Sequence, residues 1–208
     1  MTNSFFNRDI AKEVVLRPHL DKIYSKYLKL SFRRDSDNKL QAQGVDITFI
    51  YKNKDYYIDE KAQLSYINKD LKTFTFELSY FKGKEKKLGW LFDNKKITTH
   101  YFLITSIYAK DYNIKNGFEK CKILSVNRKK LLQHLVNIGL NKTRLKYYED
   151  SIRQNNSKKK KFKIDELNIE TEGCLFYSHQ LNERPINLQL KLEYLIKKGI
   201  GKQLFNPF

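Results

Sequence analysis

Residues 41–63 read QAQGVDITFIYKNKDYYIDEKAQ. Two apolar-alternating runs are joined there by a polar turn, Lys52-Asn53-Lys54-Asp55. In the first run Val45, Ile47 and Phe49 fall on one face of a strand and Asp46 and Thr48 on the other, because side chains alternate with period two. In the second run Tyr57, Asp59 and Lys61 share a face. Neighbouring runs joined by a short turn form an antiparallel hairpin. Such a hairpin brings Asp46 beside Asp59 and Lys61.

The chemistry of that cluster is specific. Two carboxylates held close repel each other unless a cation sits between them. Hard oxygen ligands at a strand edge suit Mg²⁺, which keeps several waters and takes one or two protein carboxylates plus substrate phosphate oxygens. Mn²⁺ is a possible substitute. A lysine beside such an ion stabilises a hydroxide nucleophile or the charge that builds on a phosphate. Asp, Asp and Lys on one sheet face therefore outline a site for phosphodiester hydrolysis. A charged triplet on an exposed strand is more often a solvated face. Against that, Ile58 and Ala62 flank the triplet and Tyr56-Tyr57 precede it, so the charges stand among core residues, where unpaired charge is costly.

Asp46, followed after a hairpin by Asp59-Glu60-Lys61, resembles the PD-(D/E)XK nuclease superfamily. The resemblance implies an α/β fold, a mixed central β-sheet flanked by helices, restriction-endonuclease-like. It assigns Asp46 as the first metal-binding aspartate, Asp59 as the second acidic ligand and Lys61 as the catalytic lysine. Glu60 takes the variable position, whose backbone carbonyl faces the metal, and Gln63 the place of a polar helper further along the same strand face. Val45 stands where the name-giving proline would be. An acidic residue on the first helix often completes the metal site in this superfamily. Glu13 is the best match, with Asp9 one turn earlier as the alternative, and a surface acid paired with Lys12 or Arg17 as the plain reading of Glu13.

The chain has 208 residues with 40% hydrophobic content, enough for one sizeable core. A single domain over 1–208 is expected, with its core at about 7–140 and residues 141–208 as an extension packed on it. Fourteen Tyr and fourteen Phe argue against a disordered tail. The formal net charge of +18 points to a polyanionic partner, nucleic acid before an anionic membrane. Most basic residues are Lys, which acts as a point charge on phosphates, so the signature is one of backbone binding. Cys121 and Cys174 lack the spacing of a zinc or disulfide framework. No apolar run approaches the ~20 residues of a membrane span, and no signal-peptide architecture opens the chain. A cytoplasmic setting fits these features.

Residues 7–27 have the pattern of a helix, with a stripe of Ile10, Ala11, Val14 and Val15 and a break or kink at Pro18 before Leu20, Ile23 and Tyr24 resume it. Residues 27–34 alternate as a first strand. Arg33 and Arg34 end it, as phosphate contacts or as a solvated loop end. Gly44, just before Val45 and Asp46, permits a backbone that other residues resist; Gln43 is a candidate contact to the scissile phosphate or to a water. Residues 73–80 alternate, as strand or helix start, and include Glu77, an extra acidic ligand or a structural group. Trp90 is expected as a core anchor. Residues 101–108 are the strongest buried-strand candidate. Residues 126–140 form an amphipathic helix capped by Asn127, whose basic first turn offers Lys129 and Lys130 to phosphate. The run at 157–163 adds Lys158, Lys159, Lys160 and Lys161 as candidate grips on a nucleic-acid backbone. Strands at 173–177 and 186–190 and a short helix to Lys198 complete the chain.

The expected function is a Mg²⁺-dependent nuclease; no RNA-recognition signature favours RNA, and the resemblance, through the superfamily's prevalence, implies DNA as the substrate. A non-catalytic nucleic-acid-binding protein on the same fold, a ribonuclease and a basic interaction protein are the rivals. Cutting a duplex needs two active sites or two visits, which a homodimer would meet.

Overall fold

The computed structural model describes residues 5–29, 31–35, 37–155 and 158–208, with side chains from Lys12 onward. Helix α1 (Phe5–Ile23) runs into one π-helical turn, Tyr24–Leu28. Strand β1 (Phe32–Arg34), helix α2 (Asn38–Ala42) and strands β2 (Ile47–Tyr51) and β3 (Lys54–Ala62) follow. Next come β4 (Thr73–Lys82), β5 (Glu85–Leu88), β6 (His100–Ala109) and β7 (Phe118–Asn127). Helices α3 (Arg128–Asn137) and α4 (Lys142–Gln154) lead to β8 (Lys161–Phe162), β9 (Gly173–Tyr177) and β10 (Ile186–Lys191). Helix α5 (Leu192–Lys197) and β11 (Gly201–Phe205) end the fold. No helix among the described residues is long and apolar enough to cross a membrane.

The chain divides into two units that interleave along the sequence. One holds the described residues up to Leu71 with Ile97–Arg128 and Gly201–Phe208; the other holds Lys72–Lys96 and Lys129–Ile200. The first carries a mixed six-stranded sheet in the order β1-β2-β3-β6-β7-β11, in which, among the described residues, only β3 and β6 pair in parallel. A parallel pair needs a crossover connection. Here the crossover leaves after Ala62, contributes β4 and β5 to the second unit and returns at Ile97. The second unit carries an antiparallel sheet in the order β5-β4-β10-β9-β8.

The β2–β3 hairpin closes on Lys52 and Asn53, both at positive φ (49° and 56°). Two consecutive residues of that kind make the loop whose twist matches antiparallel strands. The hairpin thereby fixes the register Ile47↔Ile58, Thr48↔Tyr57 and Phe49↔Tyr56. Leu16, Leu20, Ile23 and Tyr24 share a buried cluster with Ile47, Phe49, Ile58, Phe102 and Ile104. Tyr24 meets Phe32 and Phe49 edge-on at 5.6 and 5.8 Å, a geometry that aligns ring edge with ring face.

Several expectations are corrected. The buried stripe of α1 runs through Leu16, Leu20, Ile23 and Tyr24, whereas Val14 and Val15 are exposed. The sheet contact sets the helical phase, and stepping back from Leu20 at helical spacing reaches Leu16 and Glu13. Pro18 sits inside α1 without ending it, at an exposed position. The first strand is confined to Phe32–Arg34, because the π turn occupies Tyr24–Leu28. The helix α3 begins at Arg128, and Asn127, directly before it, is the last residue of β7, paired with His100. Residues 73–80 are strand, and Trp90 packs against Phe76 at 5.6 Å.

In the second unit, Phe76, Leu78, Leu175, Leu188 and Leu190 are buried along the sheet. Helix α4 is tied to it through Glu149, which accepts the Ser79 hydroxyl and pairs with Lys86.

Candidate functional site

Asp46 stands one residue before β2 begins. Its amide donates to the Ile58 carbonyl (2.8 Å) and its carboxylate Oδ2 accepts the Glu60 amide (2.8 Å). The side chain thus continues the ladder by one rung past the end of the strand. Gly44 makes the approach feasible: its φ is +76°, a region glycine enters without steric cost, and its carbonyl accepts the buried Thr98 hydroxyl (2.6 Å). Continuing the register Ile47↔Ile58 by one residue sets Asp46 opposite Asp59.

Asp59 is 3% exposed. Its Oδ1 lies 2.6 Å from Lys61 Nζ, as the period of two requires. Burial, together with the charge and hydrogen-bonding reach of Asp46, pushes the Asp59 carboxyl up to about 6, against the opposing pull of Lys61. Burial lowers the Lys61 pKa, but Asp59, Asp46 and Glu13 outweigh it and hold the ammonium above its ordinary range. At neutral pH the Asp59–Lys61 pair is therefore ionic. Two carboxylates against one ammonium leave negative charge in excess.

Glu60 turns to the other side of β3. Its carboxylate accepts Arg34 Nη1 at 2.6 Å and the Tyr24 hydroxyl at 2.5 Å. Arg34 also reaches Asp21 through Nε at 2.7 Å. Burial raises the Glu60 pKa and the Arg34 guanidinium counters it. The Glu60 side chain is thus committed within the sheet's edge, and only its backbone carbonyl is left for the ligand role that the sequence suggests.

Two cavities flank Asp46. One, about 30 Å³, is lined by Glu13, Leu16, Arg17, Leu20, Asp46, Glu60, Ala62 and Ile104. The other, about 160 Å³, is lined by Arg17, Arg34, Asp35, Asn38, Gln41 and Asp46. Glu13, named from the helical pattern, does stand beside Asp46. The side chain of Asp9, its alternative, lies outside the described side chains. Gln63 follows β3 directly, its amide donating to the Ile104 carbonyl (3.0 Å). Gln43 closes α2, and its carbonyl accepts the Ile97 amide (3.0 Å); its neighbour Gln41 lines the larger cavity.

The basic candidates divide. Arg33 is exposed and pairs with Asp35 at 3.1 Å. Asp35, 6% exposed, is held also by the Thr48 hydroxyl at 2.6 Å. Arg34 is engaged by two carboxylates. Lys129, Lys130 and Lys158, Lys159, Lys160 and Lys161 belong to the second unit, as does Glu77 on β4. Lys130 donates to the Gly199 carbonyl at 3.2 Å, and Lys159 lies over the Phe162 ring at 5.8 Å. Arg17 is the site residue that the sequence did not single out. Its signal was the spacing from Glu13, one helical turn away.

Whether these residues fit a divalent cation is answered by the donor set. Among the described residues no group of three or more His, Cys, Asp or Glu gathers as a metal cage, which argues against a zinc-type site. Asp46 and Asp59 are the two hard carboxylates that the site offers, the ligand type that suits Mg²⁺. Comparison of the chain with protein-family models, curated proteins and solved structures returned no match.

Two outcomes follow. The Asp59 carboxyl sits higher in the folded protein than in the unfolded chain, so its stabilising contribution is present below about pH 4 and is lost as pH rises through about 6. In chelator, the stability of wild type relative to Asp59→Asn should therefore fall from pH 5 to pH 8, by about 1–2 kcal/mol. Thermal unfolding of both proteins checks this, and a difference that grows with pH would contradict it. Arg34→Ala should cost about 3–5 kcal/mol in urea unfolding by stranding the buried Glu60 carboxylate, with most of the loss restored by adding Glu60→Gln.

Proposed function

We propose that the chain is a Mg²⁺-dependent nuclease of the PD-(D/E)XK type, with DNA as its substrate. The observation that carries this reading is the rung formed by the Asp46 carboxylate on the Glu60 amide, with Asp59 opposite and Lys61 bound to Asp59. The order of elements supports it: a helix, three strands paired antiparallel with a short helix between the first two, and a crossover through β4 and β5 to a strand parallel to the third. The excess of basic residues, 41 Lys and Arg against 23 Asp and Glu, supplies attraction to phosphate that is independent of base sequence.

Asp46 and Asp59, with the Glu60 carbonyl, would hold Mg²⁺; Glu13 lines a cavity that Asp46 also lines. The bound ion would polarise a phosphoryl oxygen and make a water acidic enough to attack at neutral pH. Asp46 is fixed for this role by its own backbone and by the Glu60 amide, so it needs no reorganisation. Asp59 is dry and ionised above about pH 6. Lys61 keeps its proton, places a cation beside the reacting phosphate and counters the charge that develops there. Its pairing with Asp59 holds that ammonium in place until substrate arrives.

A nuclease assay on supercoiled plasmid, linear duplex, single-stranded DNA and RNA, with Mg²⁺, Mn²⁺ or chelator, tests the reading. Cleavage of DNA should require the metal and fall at least about 100-fold in Lys61→Ala, while folding and salt-sensitive DNA binding persist. Cleavage confined to RNA would make the enzyme a ribonuclease. Tight, salt-sensitive binding without cleavage of any substrate would make it a binding protein.

A further inference from the structure

The larger cavity beside Asp46 is unlike the smaller one. At about 30 Å³ the smaller has room for a water or two, or for an ion with its water. At about 160 Å³ the larger has room for a polyatomic group. Its wall is polar: two arginines, two aspartates, Asn38 and Gln41. Three of the four charged groups are already engaged. Arg34 is bound by Asp21 and Glu60, Asp35 by Thr48 and Arg33, and Asp46 by the Glu60 amide. The exception is Arg17. It is exposed on α1, lines both cavities, and its side chain has no hydrogen bond or ion pair among the described residues.

An uncommitted guanidinium within one cavity of a metal-binding aspartate needs an explanation. Pairing with Glu13, one helical turn before it, would be the ordinary arrangement, and the structure does not make it. Arg presents a planar fork of donors matched to phosphate oxygens, and charge-assisted contacts of that kind are stronger than neutral ones. Asn38 and Gln41 add neutral amide donors. Gln41 Nε2 already donates one hydrogen bond to the Asp35 carbonyl at 3.0 Å and retains a second N–H.

We propose that the cavity lined by Arg17, Asn38 and Gln41 is a phosphate subsite that binds the phosphate next to the one being cut, with Arg17 as its positioning residue. The inference rests on the nuclease reading for the identity of the neighbouring site, while the subsite itself needs only an anionic ligand. An arginine here would fix the register of the strand across Asp46 without touching the reacting atoms. The phosphate is either an internal diester or a terminal monoester, and the two differ in what they predict.

The experiment uses the full chain, wild type, Arg17→Ala and Arg17→Lys, with duplexes that carry either 5′-phosphate or 5′-hydroxyl ends. Binding is read by fluorescence anisotropy in chelator across a salt series, and cleavage with Mg²⁺ as KM and kcat. Arg17→Ala should weaken binding about tenfold or more and lower the salt slope by about one phosphate contact. The cleavage defect should fall mainly on KM, and Arg17→Lys should recover part of it. Equal weakening for both ends assigns an internal phosphate; loss confined to the 5′-phosphate duplex assigns a terminal one. Binding and slope unchanged in Arg17→Ala, with its thermal stability intact, would overturn the subsite whether or not the wild type cuts. A wild type that never cuts, but whose binding depends on Arg17, would keep the subsite and remove the nuclease reading.

Discussion

The hydrogen bond from the Glu60 amide to the Asp46 carboxylate is the contact on which the site depends. It replaces a backbone rung with a side chain where β2 has not yet begun. That substitution holds an acidic group at the open end of a ladder, aimed by the sheet itself. It also ties Asp46 to the very peptide whose neighbours on either side are Asp59 and Lys61. One residue earlier or later in register, and the period of two would turn Asp59 and Lys61 away.

The same stretch of β3 serves two purposes. Asp59 and Lys61 leave one face of the strand, and Ile58, Glu60 and Ala62 the other. On that second face Glu60 joins Arg34, Asp21 and Tyr24 in a network closed by hydrogen bonds of 2.5–2.7 Å. A buried carboxylate left alone there would be strongly destabilising. Arg34 is therefore committed to the scaffold, while Arg17 lines the cavity with its guanidinium uncommitted. Anchoring β1, β3 and the end of α1 together keeps the Asp46 rung in place.

The hairpin was legible because its information is local. A two-residue turn and alternating apolar residues fix both strands and their facing, so Asp46, Asp59 and Lys61 could be grouped from residues 41–63 alone. The phase of α1 was less so: Val14 and Val15 look like core by composition, and only contact with the sheet shows that Leu16 and Leu20 are inside. Strand β7 is hard to read in the sequence because it runs at Asn127 directly into the helix that follows. Edge strand β11, half-exposed and five residues long, has little alternation to betray it. The partners of Arg34 and Asp35 are brought together by tertiary pairing, and no linear pattern announces an arginine's acids. Nor does sequence order reveal that the β3–β6 crossover contributes strands to a second unit.

The central claim is that Asp46 and Asp59 form a binding site for a divalent cation. The most direct measurement is a titration of the nucleic-acid-free protein with Mn²⁺ at pH 8, followed by electron paramagnetic resonance and calorimetry, beside Asp46→Asn of equal thermal stability. One saturable site in the wild type, lost in the variant, is the predicted result. Binding that is absent in the wild type, or equally strong in both proteins, would contradict the account.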